Sequence, residues 1–491
     1  MPSDPYLAFI NHRAQYNPCI KGLDTFLQQK PVRASKILCI DYPCHGPWTS
    51  QLQVVTVQQD DLVTSLETIA PTTMRIVLIE DITPHLMSLV GSALDIDPLF
   101  FAEYVNTSFE DFEFSPPPPS IAIVPSLLSE SGCLHLHYQQ ILDLGDAAVF
   151  SNSPYALKTV TNIKRTIRRL PPLSGKQLAL ARSACSLLVK KLDTASVCLI
   201  LVDSPARVAV HNLGSQKGNV LHGGFEDITT SHLSSQSSVD QCIWSRDSML
   251  ESLVHYLQCA RPHGLTATPT SMLHLVYYPI RITLSYWNYY NHLLSRYSKH
   301  YEYSLQDISS RLYGSDITDL QRWRRRIRQS RHKLTLLTEF CRFWVAQEDI
   351  DTNKSTWNSI LRDIEYLQYQ LQDYNQSLEQ MVTVATSMLQ LLDSRQSILE
   401  AVNVRRLTYL ALIFAPLAWV ASLFSMSEPY LPGQGEFWVY FATAIPLLCT
   451  VFLLSTFNYD LLGQRLAGYW RGIVDRRQTK HSRRRQNALE P

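Results

Sequence analysis

The sequence predicts a membrane protein of the α+β/α class: an N-terminal α/β domain and a long helical stalk continuous with the first of two C-terminal transmembrane helices. Three observations predict it. Near the C-terminus, Leu407 to Phe424 and Phe437 to Phe457 contain no charged residue, and each run is about long enough to cross a ~30 Å hydrocarbon core as a helix. Upstream, a seam of apolar residues at alternating spacings of four and three runs from Trp357 into the first of these stretches. Before that, roughly 270 residues mix short β-branched runs with short helical segments, the pattern of an α/β domain.

At 491 residues the chain has room for a sizeable soluble domain plus a membrane part. Its 44 basic and 43 acidic residues nearly cancel, so the global charge points to neither a nucleic acid nor an acidic substrate. The ten cysteines show no paired framework and Cys449 falls inside the second apolar run, which reads as reduced thiols facing a cytosol-like compartment. The opening "MPSDPYLAFI" lacks the basic start and apolar core of a signal peptide.

Residues 1–35 are expected as an N-terminal tail and 36–279 as the α/β domain. "KILCIDYP" (Lys36 to Pro43), "LQVVTVQ" (Leu52 to Gln58) and "MRIVLIED" (Met74 to Asp81) read as strands closed by turn residues. "PHLMSLVGSAL" follows as a short helix with Pro at its start. Further strands are expected at Cys133 to Tyr138 and Val197 to Val202. "SPPPPS" (Ser115 to Ser120) is a stiff spacer, and the Gly- and Ser-rich stretch from Asn212 to Asp240 reads as a loop.

Residues 280–406 are expected as the helical stalk region. Tyr286 to Tyr297 and Leu320 to Val345 read as helices, and "AQEDIDTNKST" marks a reversal with Thr352, Ser355 and Thr356 as candidate caps. The seam then runs through Ile360, Ile364, Leu367, Leu371, Tyr374, Leu378, Met381, Ala385, Met388 and Leu392, the spacing of a helix packed in a bundle or coiled coil. A helix from Trp357 to Phe424 would be roughly 100 Å long. Burying that seam calls for an oligomer, or for an antiparallel partner from Leu320 to Val345.

The first span is placed at 407–427, an outer loop at 428–436, the second span at 437–457 and a basic tail at 458–491. Arg405 and Arg406 precede the first run, eight Lys or Arg lie between Arg465 and Arg485, and the loop carries Glu428 and Glu436 with no base. By the positive-inside rule both termini lie on the cytosolic (or matrix) side of a multi-pass protein, with a short acidic loop outside. Trp438 and Tyr440 fall at the outer aromatic belt, and Tyr459, Tyr469 and Trp470 near the inner one.

Small residues in the first span fall at Thr408, Ala411, Ala415, Ala418 and Ser422, extended by Ser425; Ala421 alone lies off the stripe. Two readings are open. One is close helix–helix contact, which small residues favour in membranes. The other is a pore lining, where small side chains leave room for water and an ion. Neither span contains an ionisable residue, which disfavours a proton relay and permits passage of an ion still carrying its water.

"IFAPLAWVASLFSMS" (Ile413 to Ser427) resembles the Phe-x-Pro-Leu segment and Gly-Met-Asn signature of the CorA/ZntB magnesium and zinc transport superfamily. "RIVLIEDITPHLMSLVGSALDIDPLFF" (Arg75 to Phe101) resembles the N-terminal domain of its fungal CorA-like branch. The resemblance implies a funnel-like homopentamer whose first span lines the pore, passive and driven by membrane potential. It implies an ion filter at Ser425, Met426 and Ser427, in the places of Gly, Met and Asn. It puts the pore at Val404, Leu407, Ala411, Ala415, Ala418, Ser422 and Ser425, with Val404 and Leu407 as a hydrophobic gate. A ring of neutral oxygens at the filter suits a hydrated Mg²⁺, which gives up water reluctantly. Two departures stand out: Ser425 adds a Cβ where the family has Gly, and the Ser427 hydroxyl reaches less far than an Asn amide.

Other features are read more plainly. "RWRRRIRQSRHK" (Arg322 to Lys333) is expected to meet acidic neighbours, lipid headgroups or the stalk rather than nucleic acid. Cys133, His135 and His137 alternate on one strand face without a fourth metal ligand in view; Cys39, Cys44 and His45 receive the same reading. "SGKQ" (Ser174 to Gln177) lacks the upstream glycine of a phosphate-binding loop. Stalk acids Asp363, Asp373, Glu379, Asp393 and Glu400 form either a divalent-ion sensor or a solvated face. No nucleophile–base pair is found, so no enzyme is expected. No cofactor is expected either, only Mg²⁺ or another divalent cation as transported or regulatory ion. The expected partners are further copies of the chain, membrane lipid and divalent cations. The functional expectation is a CorA-like divalent cation channel, Mg²⁺ first, with an altered Ser-Met-Ser filter. The alternative is a transport-inactive scaffold or ion sensor that keeps the same frame.

Overall fold

The computed structural model describes residues 5–43, 52–70, 73–105, 132–151, 153–192, 195–210, 214–221, 246, 248–259, 271–306, 314–348, 351–425 and 435–456. The chain forms two compact units, Met1–Ala385 and Thr386–Pro491.

The first unit is built on a sheet of nine strands, supplied by β1 (Lys36–Pro43), β2 (Val54–Thr56), β3 (Thr73–Glu80), β4 (Cys133–Asp146), β5 (Ala156–Lys158), β6 (Thr166–Arg169), β7 (Lys176–Lys191), β8 (Ser196–Val202) and β11 (Asn219–Val220). The main path runs β11-β4-β7-β8-β3-β1-β2, with β6 also on β7 and β5 on β6; β9 (Arg207–Val210) and β10 (Gly214–Lys217) pair separately. β3 and β8 pair in parallel, Met74 opposite Ser196, and the other pairs are antiparallel. Their near-continuous apolar runs suit strands covered on both faces.

Alternation along the strands sends residues to two cores. Ile37, Cys39, Val77, Ile79, Val197, Leu199 and Leu201 face α1 (Pro5–Tyr16), α2 (Lys21–Leu27), α3 (Leu62–Glu67), α4 (Pro84–Ala93) and α5 (Pro98–Val105). Leu38, Ile40, Ile76, Leu78, Cys198, Ile200 and Val202 face α6 (Met249–Cys259), α7 (Met272–Gln306), α8 (Gly314–Gln347) and the first half of α9 (Asp351–Phe424). The strands expected at Lys36, Leu52, Met74, Cys133 and Val197 are all present, as is the helix at Pro84. That helix is capped by Thr83, whose side chain accepts from Leu86 N at 3.2 Å, with Pro84 in its first turn. Gly91 lets α1 approach α4, since a Cβ there would lie 2.3 Å from the Tyr6 ring.

Three differences from the sequence expectation have physical causes. The segment expected as a tail is folded from Pro5 onward: Ile10, Ile20 and Leu23 in and beside α1 and α2 are fully buried on the sheet. The expected boundary at 279/280 falls inside α7, whose residues on both sides of Pro279 join the same core. Ser355 and Thr356 lie within α9 rather than capping it, because the helix already starts at Asp351.

α8 is the antiparallel partner of the stalk. Arg342 pairs with Glu365 at 3.1 Å, Gln368 donates to Thr338 Oγ1 at 3.1 Å, and Arg324 meets Glu379. α7 runs alongside in the same direction as α9, through Arg281–Asp363 at 2.7 Å and Asn291–Gln370 at 3.1 Å. The seam from Trp357 through Ile360, Ile364, Leu367, Leu371, Leu378 and Met381 to Ala385 is buried in this packing.

Asp81 ends β3 in a left-handed conformation, φ 56°, and its carboxylate accepts from Asn162 N at 2.9 Å while Oδ2 has no partner. Burial, against the hydrogen bond from Asn162, raises its pKa from 3.8 to about 6. A carboxyl so raised takes up a proton on folding. Its contribution therefore favours the fold below about pH 4 and is lost as pH climbs to about 6, a swing on the order of 3 kcal/mol. Asn tolerates the left-handed backbone and does not titrate. Asp81→Asn is expected to flatten the pH dependence of thermal unfolding between pH 4 and 6 relative to the native protein; parallel curves would disprove the assignment.

Candidate functional site: the small-residue stripe of the long apolar helix

The second unit contains the end of α9 and α10 (Trp438–Thr456). α9 includes an apolar window of mean hydropathy 2.0 that is only 6% buried, and by length and composition it can cross a membrane; α10 is a second, shorter apolar helix. Apolar side chains left this exposed are unfavourable in water by roughly 25 cal/mol per Å², so the unit calls for lipid or for partner helices.

The two helices meet on one face of α9. Val420 and Ala444 are buried, and the Phe424 ring stands edge-on to Tyr440 with centroids 6.1 Å apart. Leu412, Pro416 and Leu417 on the same side are half-buried. The small-residue stripe lies away from this contact: Thr408, Ala411, Ala415, Ala418, Ser422 and Ser425 are all exposed. Thr408, Ala411 and Ala415 border an open apolar groove of about 540 Å³ with Leu447 and Val451. At 100° per residue the stripe's centre sits roughly opposite Val420. The buried contact at Val420 therefore does not cover the stripe, although Thr408, Ala411 and Ala415 face α10 across the groove. Thr408 closes its own hydroxyl on Val404 O at 2.9 Å.

Of the expected filter residues only Ser425 is described, and it continues the helix, its N–H donating to Ala421 O at 2.9 Å. The non-glycine residues of positive φ among those described are Asp81, Asp95 and Ser174, so Ser425 is not one of them and its Cβ meets no left-handed backbone. Met426, Ser427 and Glu428 lie outside the described residues. Glu436 is described, in an exposed turn before α10. Val404 and Leu407 are 61% and 65% exposed, and Arg405 donates to Tyr409 OH at 3.0 Å.

The other candidate groups have structural partners. His135 Nδ1 lies 2.7 Å from Ser186 Oγ and His137 3.5 Å from Glu103, and among the described residues no group of three metal-ligating side chains occurs. Cys39 is buried, its thiol pushed up to about 11 by desolvation; Cys44 and His45 lie outside the described residues. The "SGKQ" segment is a turn, with Ser174 and Gly175 at φ 57° and 73°. In the basic run Trp323 is buried, Arg326 stacks over it at 4.8 Å and Arg322 over Tyr155 at 4.1 Å. That run meets the stalk through Arg324 and the sheet through Tyr155. Of the stalk acids, Asp363 and Glu379 are held by Arg281 and Arg324, so those two belong to the bundle's ion pairs.

Residues 288–459 match the protein family described as "CorA-like Mg2+ transporter protein". Among curated proteins there is no match. Among solved structures, the chain is similar to the CorA magnesium transporter from Methanocaldococcus jannaschii at 10% identity and a TM-score of 0.35, over 86% of this chain and 97% of that one. It is similar to the full-length CmaX protein at 11% identity and a TM-score of 0.36, over 87% of this chain and 98% of that one. The matched family is one of transporters rather than enzymes. The family match runs from the middle of α7 through α8, the stalk and both apolar helices, about a third of the chain.

Proposed function

We propose that the protein is a self-associating membrane conduit for a divalent cation, Mg²⁺ first, with the stripe Thr408, Ala411, Ala415, Ala418 and Ser422 lining the path. The observation that carries this reading is the open stripe: the small residues stay exposed on the helix that the family match includes, and where three of them border α10 they do so across an open groove. Ser425, Met426 and Ser427 form an altered filter at the outer mouth, Glu428 and Glu436 an acidic rim, and Val404 and Leu407 a hydrophobic constriction. Flow is passive, down the membrane potential. Both chain ends lie on the side of Arg405, Arg406 and the basic tail, following the positive-inside rule.

Self-association is supported by the second unit's part of α9. Leu391, Leu392, Ile398, Leu399 and Val402 are 42–65% exposed, and an apolar helix face of this kind is ordinarily covered by other helices. The resemblance implies five copies.

The test is Mg²⁺ influx into dye-loaded liposomes under an inside-negative potential, beside empty liposomes and the Ser425→Gly/Ser427→Asn double variant. Saturable influx through the native protein is expected, with ion preference altered by Ser427→Ala. Silence from the native protein and influx through the double variant would overturn a working filter and leave a transport-inactive frame.

A further inference from the structure

A second pocket, in the first unit, is unrelated to the stripe. It is a cavity of about 540 Å³ bounded by α5, the start of β4, the end of β7, α7 and α8, within the range of small-molecule sites. It exists because β11 covers β4 only at Leu142 and Asp143. Among the described residues no strand lies beside Cys133–His137 on that edge, and helices from both sides enclose the gap.

Its wall is mostly apolar, from Phe100, Leu134, Leu136, Trp287, Leu334 and Leu337. Two polar groups in that wall lack partners. Thr283 is 1% exposed, and its Oγ1 is buried with no hydrogen bond. A buried hydroxyl left in this state costs about 1–3 kcal/mol, so its place on the cavity wall points to an absent partner. Lys333 also lines the cavity and has no ion pair among the described residues.

The surrounding charges set the sign of what fits. At the rim, Asp97 is held by Arg13 at 3.1 Å and Asp95 lies 3.7 Å from Lys190. Glu103 is a third exposed and sits 3.5 Å from His137. Burial keeps both imidazoles neutral at pH 7, His135 with its pKa lowered to about 4 and His137 well below its ordinary value. Burial, then the nearby Arg182, lowers Lys333 to about 7, against the opposing pull of the Glu103 carboxylate in the same wall.

We infer that this cavity is a binding site for a small apolar monocarboxylate, an aryl group or short alkyl chain ending in one acid, with the carboxylate on Lys333 Nζ and Thr283 Oγ1 and the apolar part against Trp287 and the leucines. The site is separate from the stripe and does not depend on transport.

The probe is 4-(trifluoromethyl)phenylacetate, followed by fluorine NMR on the full chain in phosphatidylcholine nanodiscs, with empty nanodiscs subtracted. Saturable binding is expected. Both Lys333→Met and the uncharged amide of the same probe should weaken it about tenfold or more, the value of one charge-assisted hydrogen bond. Leu336→Trp, at a half-buried wall position, should fill the space and remove binding. Equal binding of acid and amide, or no binding beyond empty nanodiscs, would overturn the proposal. The acid–amide comparison uses the native protein, so it decides the question even where a variant fails to fold.

Discussion

Asp203→Ala is expected to cost 3–5 kcal/mol and to leave the first unit unfolded at ordinary temperature, because it strands a buried charge. Arg165 is 2% exposed, and its guanidinium binds Asp203 through two bonds of 2.8 Å. The same carboxylate accepts from Ala184 N at 2.8 Å and from Tyr104 OH at 2.9 Å. One side chain thus ties α5, β7 and the loop before β6 to the end of β8. Arg165 also stacks over the Tyr104 ring at 5.1 Å, so the pair is packed as well as bonded. Removing the carboxylate orphans four donors on three residues at once. Replacing Arg165 and Asp203 together by Met and Leu should cost less than Asp203→Ala alone, since no lone charge remains. Thermal unfolding of the three proteins measures it. An Asp203→Ala variant within 1 kcal/mol of native would show that water or another group already satisfies Arg165.

How much of this was readable in advance depends on how local each signal is. β3 and β8 were legible because "MRIVLIE" and "SVCLILV" are unbroken apolar runs. β7 was missed: in "KQLALARSACSLLVKK" small and polar residues are buried beside leucines on both faces, so neither period shows. The stalk seam gave the antiparallel α8 correctly, since four–three spacing demands a covering helix and the nearest helical segment supplied one. The stripe was legible as spacing, but which face α10 would take was not, since α10 is apolar all round. His135 and His137 stood out as a pair, yet their surroundings were hidden. Glu103, Thr283 and Lys333 come from three helices brought together only by the sheet edge. The filter was read from the resemblance, and only Ser425 of it falls among the described residues.

Ala418→Trp is expected to reduce cation flux to the level of empty liposomes, while Ala421→Trp leaves most of it. The pair is a controlled comparison. Both alanines lie in the same turn of α9 and both are exposed, but Ala418 belongs to the stripe and Ala421 lies about 90° from its centre. An indole at a narrow lining position, repeated once per subunit, fills the path from all sides. The same indole off the stripe meets lipid or a neighbouring helix, where aromatic residues are tolerated. The competing explanation of the stripe is close packing between helices, and the same variant separates the two. If the alanines serve packing, Ala418→Trp breaks the assembly, and light scattering on the purified protein records smaller particles. If they line the path, the assembly keeps its mass and only the flux is lost. Equal flux through both variants would remove the stripe from the conduction path.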